Sequence, residues 1–379
     1  MLENDGIYLG RVWRSDAEGP SIVTLRDGRV IDITSREAPT SRDVMELADP
    51  AGHVASAKGE DLCSLQELLD SSRSTARGTA PYLLAPVDLQ AVKACGVTFA
   101  RSMIERVIEE RAAGDASAAS DIRKTVGNII GDNLRDLVPG SPQAMEVKKA
   151  LVEAGLWSQY LEVGIGPDAE VFTKAQAMSS VGWGEEIGIH PISSWNNPEP
   201  EVVLAVSSDG TVKGATLGND VNLRDVEGRS ALLLGKAKDN NASSSIGPFI
   251  RLFDKSFTIE DVRAAELDLI VEGEDGYRLE GRSSMKEISR DPLDLVKQTV
   301  GRHHQYPDGF VLYLGTLFAP IEDRDTPGGG FTHKVGDRVT ISSSRLGSLE
   351  NTVRLSTECA PWTFGAADLM RNLARRDLL

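Results

Sequence analysis

Acidic residues that flank one predicted β-hairpin are the part of this sequence best suited to chemistry. The apolar run at 202–206 and the alternating run at 211–217 predict two strands, and Asp209-Gly210 between them is a two-residue turn signal. A hairpin turn fixes which residues of the two strands face each other. The position of each acidic side chain relative to the others can therefore be worked out from the sequence.

Three carboxylates converge in this register. Glu199 and Glu201 are two residues apart, so their side chains point to the same face of the strand. The turn pairs Glu201 with Gly218 and Glu199 with Asp220, so the third carboxylate lies beside the first. Such like charges repel unless a cation neutralises them, and an all-oxygen cluster suits Mg²⁺, Mn²⁺ or Ca²⁺. The alternative is a solvated hairpin face, because 26% of the residues are charged and acids at alternate strand positions arise by chance.

Size and composition narrow the class of protein. A chain of 379 residues exceeds the usual size of one domain, so two domains are expected. The formal net charge of -16 argues against unspecific binding to nucleic acid or to an anionic membrane. Cys63, Cys95 and Cys359 are far apart in the sequence, which is typical of reduced thiols. Because the start lacks a signal peptide and no apolar run approaches the roughly 18 residues that cross a bilayer, we predict a cytoplasmic protein without a membrane partner.

The beginning of the chain predicts a small αβ domain at residues 1–80. Alternating residues at 7–13 and 21–34 predict strands, and helices are expected at 41–47 and near 62–69. A stretch rich in Ser, Arg, Gly and Thr then predicts a linker.

Residues 81–379 predict a larger domain that is mainly β. Helical periodicity begins near residue 102 and continues at 121–137 and 141–154. Beyond residue 160 the sequence predicts short strands at 170–174, 201–206, 211–217, 265–271, 277–280, 309–314, 335–341 and 347–355. Many short strands with few helices indicate an α+β fold in which a sandwich or rolled barrel dominates.

Motifs spread over residues 83–357 resemble those of the fumarylacetoacetate hydrolase superfamily. The segments PEPEVV at 198–203 and GNDVNLRD at 218–225 are similar to the Glu-x-Glu and Asn-Asp-x-x-x-Arg-Asp elements of that family. Supporting segments are AKD at 237–239, IGP at 246–248, LGT at 314–316, VGDRV at 335–339 and LGSLENTV at 346–353. The resemblance implies a rolled β catalytic domain behind the small N-terminal αβ domain. It also implies a divalent cation, Mg²⁺ or alternatively Mn²⁺, on Glu199, Glu201 and Asp220.

One departure from the family pattern bears on the reaction. Hydrolases of the family carry a Gly-x-Asn-Tyr-x-x-His-x-x-Glu element whose histidine activates water for C–C bond cleavage, and here the matching stretch is GVTFARSMIE at 96–105. Ser102 stands in the place of that histidine, and a serine without a neighbouring base cannot take a proton at neutral pH. With WNNPEPE at 195–201, the sequence is similar to the branch that acts on 2-keto-3-deoxy sugar acids.

That resemblance implies a hydro-lyase that dehydrates a 2-keto-3-deoxypentonate, derived from xylonate or arabinonate, to 2,5-dioxopentanoate in non-phosphorylating pentose catabolism. The enzyme would be a homodimer or homotetramer whose partner is a small-molecule 2-keto sugar acid, with no nucleic acid. Two alternatives stay open. One is a C–C hydrolase of a 2,4-diketo sugar acid or an acylpyruvate, and the other is a noncatalytic β domain whose acids bind a structural cation.

The resemblance also implies roles for residues outside the hairpin. Glu170 would act as general acid and base, and Lys238 would bind the substrate and neutralise the enolate. Ser102 and Arg106, four apart on a helix, would bind the distal hydroxyls. Thr316 would hold the substrate carboxylate. The alternatives are a solvated edge acid, a surface lysine, a helix cap with a solvated arginine, and an ordinary turn threonine.

Overall fold

The computed structural model describes residues 2–3, 5–73, 78–113, 115, 137–153, 155, 157–316, 318, 320, 322–326 and 330–379. Within the helix at 100–111, side chains are described for residues 103, 106–108, 110 and 111. The helix predicted at 121–137 lies outside these residues except for its last position. No helix of the described ranges has the length and apolarity needed to cross a bilayer.

The helices of the described chain are α1 (Ser41–Glu46), α2 (Pro50–Ser56), α3 (Leu65–Arg73), α4 (Ala100–Arg111), α5 (Pro142–Glu153), α6 (Gln159–Ile165), α7 (Arg224–Glu227), α8 (Leu234–Lys238), α9 (Ile259–Arg263), α10 (Pro292–Thr299) and α11 (Ala366–Arg375). Short 3₁₀ turns lie at Ala231–Leu233 and Met285–Glu287.

The strands are β1 (Tyr8–Arg14), β2 (Gly19–Arg26), β3 (Arg29–Asp32), β4 (Glu60–Ser64), β5 (Tyr82–Leu84), β6 (Ala91–Gly96), β7 (Glu170–Ala175), β8 (Glu186–Ile189), β9 (Asn196–Asn197), β10 (Pro200–Val206), β11 (Val212–Asp220), β12 (Asn222–Leu223), β13 (Ser244–Leu252), β14 (Glu266–Glu272), β15 (Arg278–Ser284), β16 (Phe310–Tyr313), β17 (Arg338–Ser343) and β18 (Gly347–Leu355).

One large sheet runs through both predicted domains. Its strand order is β4-β3-β2-β1-β13-β11-β10-β16-β6-β7, with β5 also paired to β1. Strand β1 joins the halves because Tyr8 pairs with Arg251 and Leu9 with Ile250 of β13. A smaller sheet has the order β15-β14-β17-β18-β8, and β12 pairs with β9. The division at residue 80 stays a prediction, and strand pairing continues across it.

The large sheet is buried on both faces. Alternate residues of β10, Val202 and Leu204, pack in one apolar cluster with Leu269 and Ile341 of the smaller sheet. The intervening residues of β10 belong to a second cluster that contains the apolar side chains of α1 and α2. Helices α4, α5 and α6 form a separate cluster at the side. Strand β10, which carries Glu201, is therefore central in a three-layer arrangement.

The hairpin of β10 and β11 has the predicted register. Glu201 pairs with Gly218, and the backbone N–H of Asp220 donates to the carbonyl of Glu199 at 3.0 Å. The predicted two-residue turn is wrong, because the Ser207 N–H donates to the Thr211 carbonyl across a three-residue loop. A register shift between Ala205 and Val206 offsets this difference, so the predicted pairing holds from Ala205 toward the acidic end. The left-handed backbone of Gly210, with φ of 84°, is what allows this longer loop.

The N-terminal part of the chain holds the tip of this hairpin. Glu46, the last residue of α1, accepts hydrogen bonds from the Ser208 N–H at 2.7 Å and from the Ser208 hydroxyl at 2.6 Å. The Lys213 ammonium donates to the Leu47 carbonyl at 3.1 Å. Helix α1 therefore anchors the hairpin at the end opposite to its acidic residues.

Candidate metal centre and active site

The three predicted ligands come together in the interior. One oxygen from each of Glu199, Glu201 and Asp220 can be chosen so that all three lie within 4.8 Å of one another. The residues are 3%, 2% and 1% exposed, so the alternative of a solvated hairpin face is wrong. Buried carboxylates need a compensating charge, and three carboxylates suit a hard divalent cation. The donor set of this site fits such an ion.

Glu201 shows the electrostatic cost of this arrangement. Burial, and then the neighbouring Asp220 and Glu199 carboxylates, raise the pKa of Glu201 well above its ordinary value. The backbone N–H of Gly315 donates to its Oε2 at 2.6 Å and opposes that rise. A divalent cation would favour the ionised form of Glu201.

Two buried lysines contact the acidic cluster. The Lys238 ammonium, at the end of α8, lies 2.5 Å from Glu199 Oε2 and 3.0 Å from Asp220 Oδ2. Burial disfavours its charge, but Asp220 and Glu199 outweigh burial and raise the pKa of Lys238. The ammonium of Lys174, in β7, lies 2.8 Å from Asp220 Oδ1 and donates to the Val221 carbonyl. Lys238 is thus buried in the site, contrary to the alternative of a surface lysine.

Arg106 reaches the cluster from α4. Its Nη2 pairs with Glu199 Oε1, and its Nη1 lies 3.2 Å from Glu227 Oε2. Glu227 is the last residue of α7, is 4% exposed and lines the same pocket. The sequence reasoning missed Glu227. The available signal was the longer segment GNDVNLRDVEGRS at 218–230, which is similar to the branch that acts on 2-keto-3-deoxy sugar acids and contains Glu227.

Glu170 enters the pocket from the edge strand β7. It pairs with Gly96 of β6, and a Cβ at position 96 would overlap with the Glu170 carboxylate. The missing side chain of Gly96 therefore lets this carboxylate lie across the neighbouring strand. Burial, and then the Glu227 charge, raise the pKa of Glu170 to about 7. Near neutral pH this carboxyl group is present in both protonation states.

The charges around the pocket do not cancel. Five carboxylates of the described chain line it, and they belong to Glu170, Glu199, Glu201, Asp220 and Glu227. Three cations contact these carboxylates or line the pocket, and they belong to Arg106, Lys174 and Lys238. With these eight groups ionised, the set carries two surplus negative charges. A divalent cation would balance this surplus.

Thr316 and Ser102 are the two remaining predicted substrate contacts. Thr316 lines the pocket and is 7% exposed, and its hydroxyl accepts from the Phe318 N–H at 3.1 Å. The hydroxyl thus has a local turn partner, and its role toward a carboxylate stays a prediction. Ser102 lies in the first turn of α4, and its side chain is outside the described residues.

Comparison with known proteins identifies the family of this chain. Residues 162–354 match the model described as fumarylacetoacetate (FAA) hydrolase C-terminal, which is just over half of the chain. A probable 2-keto-3-deoxyxylonate dehydratase of Haloferax volcanii is 30% identical over 201 residues, 53% of this chain and 65% of that protein. A 2-dehydro-3-deoxy-D-arabinonate dehydratase of Saccharolobus solfataricus is 29% identical over 185 residues, 49% of this chain and 58% of that protein. The match thus spans less than two thirds of either relative.

Solved structures share the fold over a longer range. The apo form of 2-keto-3-deoxy-D-arabinonate dehydratase has a TM-score of 0.65 at 21% identity, covering 92% of this chain and 99% of that chain. The same dehydratase complexed with magnesium and 2,5-dioxopentanoate has a TM-score of 0.63 at 20% identity, with the same coverage. The predicted α+β, mainly β fold class is confirmed. The chain belongs to the fumarylacetoacetate hydrolase family.

Proposed function

We propose that this protein is a Mg²⁺-dependent dehydratase that converts a 2-keto-3-deoxypentonate into 2,5-dioxopentanoate. The observation that carries the proposal is one pocket that combines a buried carboxylate triad with a separate carboxyl group, Glu170, whose pKa is about 7. The names of the two relatives and the ligands of the solved structure support the same reaction. Mn²⁺ is the expected substitute ion.

The acidic triad and Lys238 would serve the keto acid end of the substrate. Bound on Glu199, Glu201 and Asp220, Mg²⁺ would supply Lewis acidity toward the C2 carbonyl. The Lys238 ammonium contacts two of these ligands. Its positive charge favours the negative charge that develops when a proton leaves C3.

Glu170 is the proposed general acid and base. A carboxyl group with a pKa of about 7 can accept the C3 proton in its ionised form and return a proton to the departing C4 hydroxyl in its neutral form. One water is lost, and the remaining double bond moves through the C5 enol to give the aldehyde. In that isomerisation one proton moves from C5 to C3, and the C5 hydroxyl proton then moves to C4, so no net proton is gained or lost.

The substrate contacts complete the proposal. Arg106 provides a partly buried guanidinium in the pocket, suited to a hydroxyl or a carboxylate oxygen of the sugar acid. Thr316 and Ser102 stay the predicted partners of the substrate carboxylate and the distal hydroxyl groups. Ser102 stands where family hydrolases have their water-activating histidine, so elimination is favoured over hydrolysis.

A substrate panel tests the reaction. Purified protein is incubated with 2-keto-3-deoxyxylonate, 2-keto-3-deoxyarabinonate and a 2,4-diketo acid, each with and without EDTA, and products are identified by mass spectrometry. We expect 2,5-dioxopentanoate from a deoxypentonate, loss of turnover with EDTA, and recovery with Mg²⁺. Pyruvate released from the diketo acid, without dehydration of either sugar acid, would instead identify a C–C hydrolase.

A further inference from the structure

We propose that Glu227 is a positioning residue that holds Arg106 in the pocket and limits the competition of this guanidinium with the metal ion for Glu199. The inference rests on the proposed function, because it assigns a task within the same site. It concerns a residue that the family resemblance gave no role.

The geometry places one guanidinium between two carboxylates. Arg106 directs Nη2 toward Glu199 Oε1 and Nη1 toward Glu227 Oε2, the latter at 3.2 Å. The guanidinium is planar, so its hydrogen bond to Glu199 and its ion pair with Glu227 together restrict its orientation. The side chains of Arg106 and Glu227 are 13% and 5% exposed, so solvent screens their attraction only weakly.

Glu199 already carries a basic partner on each oxygen. Lys238 lies 2.5 Å from Oε2, and Arg106 contacts Oε1. A metal ion that uses Glu199 must share this carboxylate with both cations. Glu227 attracts the Arg106 guanidinium away from Glu199. This attraction weakens the interaction of Arg106 with Glu199, which is the predicted metal ligand.

The position of Glu227 in the chain suits this task. Helix α7 follows directly after β11 and β12, so Glu227 is tied to the strand that supplies Asp220. Arg106 arrives from α4, an element of the separate side cluster. The ion pair of Arg106 with Glu227 therefore connects that side cluster to the hairpin of β10 and β11. The charge of Glu227 also contributes to the raised pKa of Glu170.

A double-mutant cycle separates action through Arg106 from a direct effect of the Glu227 charge. The Kd of Mg²⁺ is measured by isothermal titration calorimetry on the full chain, for wild type, Glu227→Gln, Arg106→Gln and the double variant. We expect Glu227→Gln to raise Kd roughly tenfold, as outer-shell partners of metal ligands do. In the Arg106→Gln background the same change should alter Kd by less than about twofold, because the two residues act as one unit.

An equal rise of Kd in both backgrounds would overturn the proposal, as would a wild-type Kd in Glu227→Gln. Glu227→Asp, which retains the charge, should recover part of the affinity and replaces the glutamine variant if that protein does not fold. Glu350→Gln is the matched control, since Glu350 pairs with Arg73 outside the pocket, and its Kd should equal that of wild type.

The calorimetric result does not depend on the substrate. If the substrate panel shows no dehydration, the proposed function fails while the pattern of Kd values can still be read. With an active substrate, and well above pH 7 where Glu170 is ionised in both proteins, Glu227→Gln should raise KM by a larger factor than it lowers kcat, since Arg106 binds the substrate. An effect confined to kcat would contradict a positioning role through Arg106.

Discussion

At the scale of single residues, the pocket is a set of buried charges that depend on one another. Glu199 contacts two cations, Asp220 contacts two lysines, and Glu201 relies on a backbone N–H. Removing one partner from such a network leaves another charge buried without compensation. Neutral, isosteric substitutions are therefore the most informative, since they change the charge and retain the shape.

Glu201→Gln should abolish Mg²⁺-dependent turnover while the fold survives. The amide oxygen can still accept from the Gly315 N–H, but one negative charge of the triad is lost. Calorimetry with Mg²⁺ and the circular dichroism spectrum check the two parts. Glu186→Gln, which removes the partner of Arg354 elsewhere, is the control and should remain active. Full activity of the Glu201 variant would refute the metal assignment.

Glu170 makes the reaction depend on pH. Its pKa is about 7, and it begins the reaction as the ionised base that accepts the C3 proton, so the active form is depleted as pH falls below about 7. The kcat of wild type should therefore rise with pH along a limb centred near pH 7. Glu170→Gln should lower kcat by about 10²–10⁴-fold and remove that limb. If that limb persists in Glu170→Gln, a group other than Glu170 causes it.

The raised pKa of Glu170 also makes the free energy of unfolding depend on pH, which gives an independent check. The pKa of Glu170 is raised from 4.5 to about 7 on folding, so the folded chain holds this proton more tightly than the unfolded chain. The contribution is complete below pH 4.5 and is lost as pH rises through about 7. The free energy of unfolding of wild type, relative to Glu170→Gln, should therefore fall between pH 5 and pH 8.

At the scale of elements, the hairpin was predictable and one central strand was not. A turn signal between two apolar runs was enough to pair Glu201 with Gly218. Strand β13 was not predicted, because Gly247 and Pro248 interrupt its apolar run and proline rarely lies in a central strand. The structure accommodates them where the pairing with β11 is irregular, between Ala215 and Leu217.

Site residues that lie close together in the sequence were predictable from spacing, and those on separate elements were not. The three hairpin carboxylates share one register, so spacing alone brought them together. Glu170 and Lys238 lie on separate elements, and the family resemblance supplied them. Glu227 lies on a four-residue helix that is too short to show a periodic pattern, so neither spacing nor composition singled it out.

Gly96→Ala tests how β6 and β7 position the acid. A methyl group at position 96 would overlap with the Glu170 carboxylate, which is the mobile end of a side chain and can move aside. We expect a large loss of kcat with a small change in melting temperature, since misplacement by about 1 Å can cost about 100-fold. Gly365→Ala, where no atom lies within 4 Å, should leave both unchanged. An unchanged kcat in Gly96→Ala would mean that Glu170 is not the general acid and base.

At the scale of the whole molecule, the N-terminal part and the catalytic part share one sheet and one core. Val12 and Leu68 pack in the same apolar cluster as Val202 and Leu269. Helices α1 and α2 cover the sheet next to the metal hairpin, and Glu46 holds its tip. The oligomeric state, for which the family resemblance implies a homodimer or homotetramer, stays a prediction.

Unfolding should therefore be cooperative across residue 80. We expect urea transitions followed by far-UV circular dichroism and by tryptophan fluorescence to coincide, because neither part keeps a complete sheet without the other. Leu9→Ala, in a strand residue with no exposed surface that pairs with Ile250, should shift both transitions together. Two separate transitions would instead establish the 1–80 region as an independent domain.

During synthesis, β1 can pair with β13 only after β13 has left the ribosome, which is long after β1. Strands β2 and β5 can join β1 early, but Tyr8 and Leu9 find their partners only when Arg251 and Ile250 have been made. At about 5–20 residues per second, that delay is roughly ten to fifty seconds. Until then this edge of the first strand is open to other chains. The nascent protein is thus most prone to aggregate at this edge before β13 is made. The hairpin of β10 and β11 is made earlier, and β11 gains its second neighbour from the same late strand.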